Sequence, residues 1–414
     1  MTGHAAAMTG RKRVRSGMSK KSHVRLSDVR GASRLAIDAT IGLTNLVEMM
    51  HHNISRGPGV FGVATTQSTK GVAGLVYRSI RGVTQAVGDG IDAALGMLVP
   101  LLEQGPSTGE GEAVIAALNG VLGDHLVESG NPLAIPMRMR RAGLPLELRR
   151  AALARAIPGA TGRIVLLAHG LCMNDLQWSR KGHDHGEALE RDGGFTSVYL
   201  HYNSGLPVAT NGHDLAEKIE ALLKAWPVPV EELVILAHSM GGLVTRAAWH
   251  YGRQERLEWT KRLASIVFLG TPHHGAPLER GGHWIDIILG ASPYTAAFAR
   301  LGKIRSACIT DLRFGRVLDE SSRSLVPLPE GVNCYAMAAT LARESGDLKG
   351  ALLGDGLVPS DSALGHHEDP RYDMAFPDPH QWLGYGIGHM DLLCDAQVYE
   401  QIKQWLVPPL RRPQ

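Results

Sequence analysis

One serine lies where it could act as a nucleophile. Ser239 follows the apolar run 233–236 and precedes a helix-like stretch, 243–250. A serine at a sharp turn from strand to helix has a strained backbone and projects its hydroxyl from the sheet, an arrangement called a nucleophile elbow. Small residues two positions before and after the serine let strand and helix approach closely. Ala237 and Gly241 fill those positions, with alanine in the place where glycine is usual. The pattern predicts covalent catalysis through Ser239.

A serine hydroxyl needs a base to take its proton, and an imidazole base needs a carboxylate to hold its tautomer. His389 lies in a Gly-His-Met-Asp run late in the sequence, and Asp355 lies in a Gly-Asp-Gly turn suited to aiming a carboxylate. We predict that His389 is the base and Asp355 the acid. Asp347 and Asp361 are rival acids, but neither has glycine on both sides.

The oxygen that gains charge during acyl transfer needs backbone N–H donors. The loop 169–172 directly follows an apolar run and offers the N–H of Leu171, with that of Cys172 as an adjacent alternative. Met240, the residue after the serine, offers the second N–H. We predict an oxyanion hole formed by Leu171 and Met240.

Alternating strands and helices must position these groups. Opening antiparallel strands are predicted around 121–127 and 133–140, later strands at 163–167, 197–200, 233–236, 265–269 and 333–338, and helices at 146–156 and 212–225. This βαβα order predicts an α/β fold with a mainly parallel sheet and helices on both faces. Reactive groups collect at the carboxyl ends of the strands in such sheets.

Composition changes along the chain predict its domains. Residues 1–25 form a basic leader without an apolar run behind it, so we expect a solvated tail rather than a secretory signal. Residues 26–104 are poor in charge and predict an N-terminal helical extension, and 105–410 predict the α/β domain. A helical cap over the serine is expected at about 276–331, where the strand rhythm stops. The longest uncharged apolar stretch, 93–102, is about half the ~20 residues of a membrane-spanning helix, so none is expected.

Overall composition narrows the class of protein. The 414 residues are 44% hydrophobic and 20% charged, which allows a sizeable core. A net charge of +3 is too small to indicate a nucleic-acid partner. The four cysteines lie far apart, without metal-ligand spacing or a disulfide framework, so a cytoplasmic protein is expected.

Paired histidines are the other groups that could bind a metal. The pairs lack partners at zinc spacing, so we expect loop or surface roles for His51/His52, His183/His185 and His366/His367. His273 and His274 are expected to shape the loop beside the elbow. No cofactor is expected.

Four signatures now stand in order: His-Gly-Leu (169–171), Ala-His-Ser-Met-Gly-Gly (237–242), Leu-Gly-Thr-Pro-His-His-Gly (269–275), and Asp-Gly-Leu-Val-Pro with His-Met-Asp (355–359, 389–391). With these the chain resembles α/β-hydrolases of the lipase and esterase type, near bacterial triacylglycerol lipases and the hydrolase domain of GPI inositol-deacylases. The resemblance covers roughly residues 120–405. It implies an α/β-hydrolase fold, with the chain order serine, acid, histidine that this fold uses. It also matches Asp391 to a calcium ligand of some bacterial lipases.

The resemblance and the residues together predict a serine carboxylic-ester hydrolase that forms an acyl-enzyme on apolar acyl esters. Two alternatives remain open, namely an acyltransferase with the same triad and a non-catalytic lipid-binding protein that retains the fold. The expected partner is a small-molecule or lipid acyl ester, with peripheral contact to a lipid surface as a further expectation. The apolar residues of the cap are either core or a lipid-contacting face.

The run 284–289 in the predicted cap gives a test between a lipase and an esterase. If this run faces lipid, its burial contributes roughly 25 cal/mol per Å² of apolar surface and shifts the cap toward an open state. Ile288→Asp should then suppress hydrolysis of emulsified long-chain esters and spare short soluble ones. Equal loss on both substrates in a paired assay would mark the segment as ordinary core.

Overall fold

The protein is described here from a computed structural model. The structure describes residues 109–276, 307–318, 326–344 and 354–407. The predicted leader and N-terminal helical extension lie outside these residues, as does most of the predicted cap.

The described residues form one eight-stranded sheet in the order β2-β1-β4-β3-β5-β6-β7-β8. Its strands are β1 (Arg138–Arg141), β2 (Leu144–Pro145), β3 (Arg163–Ala168), β4 (Thr196–His201), β5 (Glu232–His238), β6 (Leu263–Leu269), β7 (Asn333–Thr340) and β8 (Gln381–Tyr385). β1 pairs antiparallel with β2 and β4, and all pairs from β4 to β8 are parallel. The prediction of a mainly parallel sheet is confirmed.

The central strands are apolar on both faces. In β3, Ile164 and Leu166 face one core while Val165 and Leu167 face the other, and all four are fully buried. Parallel strands lie between two layers of helices, so a continuous apolar run is the pattern that they require.

Helices cover both faces of the sheet. They are α1 (Gly109–Glu128), α2 (Arg150–Ala156), α3 (His185–Gly193), α4 (Val208–Ala225), α5 (Met240–Gln254), α6 (Ala307–Phe314), α7 (Ser360–Leu364) and α8 (Ala396–Leu406). Buried residues of α1, α2, α4, α5 and α6 belong to one core, and those of α3 and α8 to the other. Within the described ranges, none of the helices combines the length and apolar character that crossing a bilayer requires.

The predicted strand around 121–127 is wrong, because this segment belongs to α1. The buried apolar residues of α1 recur at helical spacing, at Leu118, Val121, Leu122 and Leu126. Gly123 does not make a turn. A Cβ there would lie 2.0 Å from the Asn203 side chain, so this glycine serves close packing instead.

Three further details differ from the sequence prediction. The sheet continues past β7 into β8, a short edge strand of low burial whose pattern carries little periodicity. The segment 133–140 becomes a strand only from Arg138, and the helix expected at 146–156 begins at Arg150.

Gly120 of α1 gives a test of this packing. A Cβ at Gly120 would lie 2.2 Å from Cys172 Sγ and 2.8 Å from Cys172 Cα, so Gly120→Ala must displace backbone. We expect a loss of about 1–3 kcal/mol in the free energy of unfolding, despite the better helix propensity of alanine. The matched control is Gly159→Ala, because nothing lies within 4 Å of a Cβ there. Equal stability of the two variants in urea titrations would contradict the tight contact.

Candidate active site

Ser239 lies between β5 and α5 with φ of 54° and ψ of −125°. Its N–H donates to the Leu269 carbonyl at 2.8 Å. The turn requires close approach, since a Cβ at Gly241 would lie 2.5 Å from the Ala168 carbonyl oxygen and one at Gly242 2.0 Å from Thr271 Oγ1. Ala237 is fully buried, so its methyl group fits where glycine is usual. The strained elbow that the pattern predicted is present.

Asp355 and His389 contact each other directly. Asp355 Oδ2 lies 2.6 Å from His389 Nδ1, and both side chains are almost fully buried. The His389 N–H donates to the Asp355 carbonyl at 3.0 Å. The other carboxylate oxygen, Oδ1, accepts the N–H groups of Leu357 and Val358 at 3.0 and 2.8 Å. One oxygen is therefore held by the turn, and the second is left for the imidazole.

This contact assigns the protons of His389. A carboxylate oxygen accepts hydrogen bonds, so Nδ1 donates and a neutral ring has a free lone pair on Nε2. Glycines at positive φ on both sides, Gly354 at 57° and Gly356 at 96°, shape the turn that aims Asp355.

Gly270 lies near the predicted acid and base, and its neighbour Leu269 contacts Ser239. A Cβ at Gly270 would lie 3.1 Å from Asp355 Oδ2 and 3.2 Å from His389 Cε1. Gly270 directly follows Leu269, whose carbonyl accepts the Ser239 N–H. The carboxyl end of β6 therefore binds the Ser239 N–H and leaves no room for a side chain beside Asp355 and His389.

The rival acids are not at this position. Asp361 lies exposed in the first turn of α7, and no hydrogen bond joins its carboxylate to His389 in the described part of the chain. Asp347 lies outside the described residues.

The predicted oxyanion loop lies beside the elbow. A Cβ at Gly170 would come 3.0 Å from Ser239 Cβ. The Cys172 N–H donates to Ser204 Oγ at 2.9 Å, so it is already engaged. The Leu171 N–H has no acceptor among the described residues. Met240 is the first residue of α5, where a backbone N–H has no partner within the helix.

Two residues that the sequence motifs did not indicate hold the predicted oxyanion loop. Tyr202 Oη donates to the His169 carbonyl at 2.8 Å, and Ser204 Oγ holds Cys172, whose φ is 59°. Both follow β4 directly, so their position after a strand was the available signal. Gly120 of α1 packs against Cys172 of this loop.

No group of three metal-ligating side chains occurs within the described ranges. His274 Nε2 lies 2.9 Å from the Gly365 carbonyl, and His273 Nδ1 lies 3.4 Å from Arg246 Nη1. These contacts fit the loop-shaping role expected for the pair.

Two other sequence expectations are tested by contacts. A loop or surface role is wrong for His185, which is fully buried as the first residue of α3, whereas His366 and His367 are exposed. Asp391, the position matched to a calcium ligand, forms an ion pair with Lys181 at 2.7 Å. His51 and His52 lie outside the described residues.

A known protein family matches the part of the chain that carries Ser239. Residues 159–297, about a third of the sequence, match the family described as the PGAP1-like alpha/beta domain. The matched range runs from just before β3 past the elbow and β6. This match confirms the family resemblance that the motifs predicted. No curated protein sequence matches the chain.

Solved structures with similar architecture include three bacterial proteins. The mature Bacillus licheniformis lipase BlEst2 is 15% identical, with 59% of this chain and 92% of that chain covered and a TM-score of 0.41. A thermophilic esterase from Thermogutta terrifontis is 16% identical, with 60% and 90% covered and a TM-score of 0.36. A lipase-esterase related protein from Clostridium acetobutylicum is 13% identical, with 59% and 95% covered and a TM-score of 0.34.

The strand order, the elbow after β5 and the family match agree with one another. The protein therefore has an α/β-hydrolase fold, and residues 159–297 are similar to the PGAP1-like alpha/beta domain.

Proposed function

We propose that the protein is a serine hydrolase of carboxylic esters, with Ser239, His389 and Asp355 as its catalytic triad. The observation that carries the proposal is the 2.6 Å contact between Asp355 Oδ2 and His389 Nδ1, at the same sheet edge as the strained Ser239. A buried carboxylate on Nδ1 leaves Nε2 as the basic nitrogen, which is the arrangement that a serine nucleophile requires.

In the first half of the reaction Ser239 Oγ attacks the ester carbonyl carbon while His389 Nε2 takes the hydroxyl proton. The carbonyl oxygen gains negative charge and accepts the N–H groups of Leu171 and Met240. The tetrahedral intermediate then collapses, the carbon–oxygen bond to the alcohol breaks, and His389 returns its proton to the leaving oxygen. The products are a free alcohol and an acyl group esterified to Ser239.

In the second half a water molecule attacks the acyl-enzyme and gives a proton to His389. Collapse of this second intermediate releases a carboxylic acid, and the proton returns to Ser239. Throughout both halves Asp355 stays ionised, holds the imidazole in one tautomer and stabilises its cation.

We propose that the substrate carries an apolar acyl group. Leu341 is 52% exposed directly after β7, and a Cβ at Gly388, the neighbour of His389, would lie 3.7 Å from Leu341 Cδ2. Tyr385, at the end of the paired strand β8, is 38% exposed. Leu341, an exposed apolar side chain close to the neighbour of His389, supports a substrate that buries apolar surface there. Hydrolysis rates on p-nitrophenyl esters of graded chain length test this preference, and a preference for acetyl esters alone would count against it.

The nucleophile is tested by covalent labelling. A fluorophosphonate should modify Ser239 alone, and Ser239→Ala should abolish labelling and lower turnover by several orders of magnitude, on the scale of ~10⁶. The control is Ser265→Ala, because Ser265 is a buried serine near the amino end of β6. Mass spectrometry that places the adduct on another serine, or full turnover by Ser239→Ala, would contradict the proposal.

The acid is tested by a pair of matched substitutions. Asp355→Asn should lower turnover by about 10⁴, because an amide can donate to Nδ1 and then favours the unproductive tautomer of His389. Asp361→Asn, at an exposed position on α7, should retain normal turnover. Steady-state kinetics showing the reverse order would transfer the role to Asp361.

A further inference from the structure

Two buried histidines outside the proposed triad contact the backbone of the turn that carries His389. His238 Nε2 lies 3.1 Å from the His389 carbonyl oxygen. His185 Nε2 lies 2.9 Å from the Leu392 carbonyl oxygen. His238 is the last residue of β5 and His185 the first of α3, so two separate elements hold the turn at two points.

The carbonyl contacts determine where the protons are. A carbonyl oxygen only accepts, so both Nε2 atoms donate. Burial lowers the pKa of His185 to about 3 and holds the pKa of His238 well below its ordinary value, so both rings are neutral near pH 7. Their Nδ1 atoms are then acceptors. His185 Nδ1 accepts from His183 Nε2 at 2.8 Å, which gives a hydrogen-bond chain from His183 through His185 to Leu392.

Three hydrogen-bonding groups of His389 are consequently engaged, and Nε2 is the ring nitrogen left for Ser239 in the proposed mechanism. Its N–H donates to the Asp355 carbonyl, its Nδ1 to the Asp355 carboxylate, and its own carbonyl accepts from His238. The His238 and His389 rings are 4.7 Å apart between centroids. Because His238 is neutral, it adds no positive charge beside the ring that takes up a proton during the reaction.

We propose that His238 and His185 are positioning residues that fix the 389–392 turn, so that His389 keeps its bond to Asp355 and its second nitrogen stays available to Ser239. The inference rests on the proposed role of His389 as the base. Neither histidine touches the reacting atoms in this scheme. Each histidine donates one N–H group to a backbone carbonyl. An experiment must therefore remove that N–H group and then restore it.

Paired substitutions separate the N–H group from the volume of the side chain. Glutamine places an amide N–H near the position of Nε2, whereas leucine fills similar space without a donor. His238→Leu should lower kcat by about 10²-fold, the scale for a catalytic group misplaced by about 1 Å, with KM nearly unchanged on p-nitrophenyl butyrate. His238→Gln should recover most of that loss. His185→Leu should likewise lower kcat more than His185→Gln does.

A spectroscopic readout is independent of turnover. The Nδ1 proton that His389 shares with Asp355 should give a far-downfield proton resonance, assigned by its loss in His389→Ala. The resonance should vanish or broaden in both leucine variants and persist in both glutamine variants. This arm tests the positioning role even if the protein hydrolyses no ester, an outcome that would refute only the proposed function.

The matched control is His273→Leu, which removes a buried histidine that packs near Phe268 and Phe376 instead of the 389–392 turn. This variant should keep the resonance. Circular dichroism identifies variants that fail to fold. If the His238 variants do not fold, the His185 variants provide the test. The proposal is overturned if the leucine variants keep wild-type kcat and resonance, if glutamine is as impaired as leucine, or if His273→Leu also loses the resonance.

Discussion

The left-handed backbone of Ser239 is the constraint on which the rest of the site depends. A residue other than glycine at φ of 54° and ψ of −125° costs of the order of 1–3 kcal/mol and persists only where the surroundings impose it. Here the surroundings are the buried strand β5, the carbonyl of Leu269 that accepts the serine N–H, and two glycines whose neighbours leave no space for a side chain. The strain at one residue is thus supported by contacts from β3, β6 and α5.

Parallel strand order explains how distant parts of the chain meet at this point. Strands β3, β5, β6 and β7 are neighbours and run in the same direction, so the loops that follow them meet at one edge. The predicted oxyanion loop follows β3, Ser239 follows β5, Gly270 follows β6, and Asp355, the proposed acid, lies beyond β7. His389 follows β8. Each strand delivers one component, and none of the components is close to another in sequence except Ser239 and Met240.

Local patterns made much of this predictable. The apolar runs of β3 to β7 and the small residues around Ser239 are local signals, and each of those strands is present within a few residues of its predicted bounds. The Gly-Asp-Gly turn also identified the carboxylate that contacts His389, because positive φ on both sides is a property of the turn itself. In contrast, part of α1 was predicted as a strand, because a glycine between short apolar runs is typical of a turn. The contact of Gly123 with Asn203 is not visible in the sequence. The contacts of His238 and His185 with the 389–392 turn join residues more than 150 positions apart, and no local pattern encodes them.

The close contacts of α1 have a consequence for how this protein can vary. Gly120 and Gly123 meet Cys172 and Asn203 with no space for even a methyl group, although α1 precedes the range that matches the family. At position 120 the nearest atoms include the Cys172 backbone, so a substitution of Cys172 alone makes no room there, whereas at position 123 they all belong to the Asn203 side chain. Homologues should therefore keep glycine at position 120, and should replace the glycine at position 123 only together with the residue at position 203. Helix α1 begins some fifty residues before the boundary of similarity, so a fragment trimmed to residues 159–297 would lack the helix that packs against the predicted oxyanion loop.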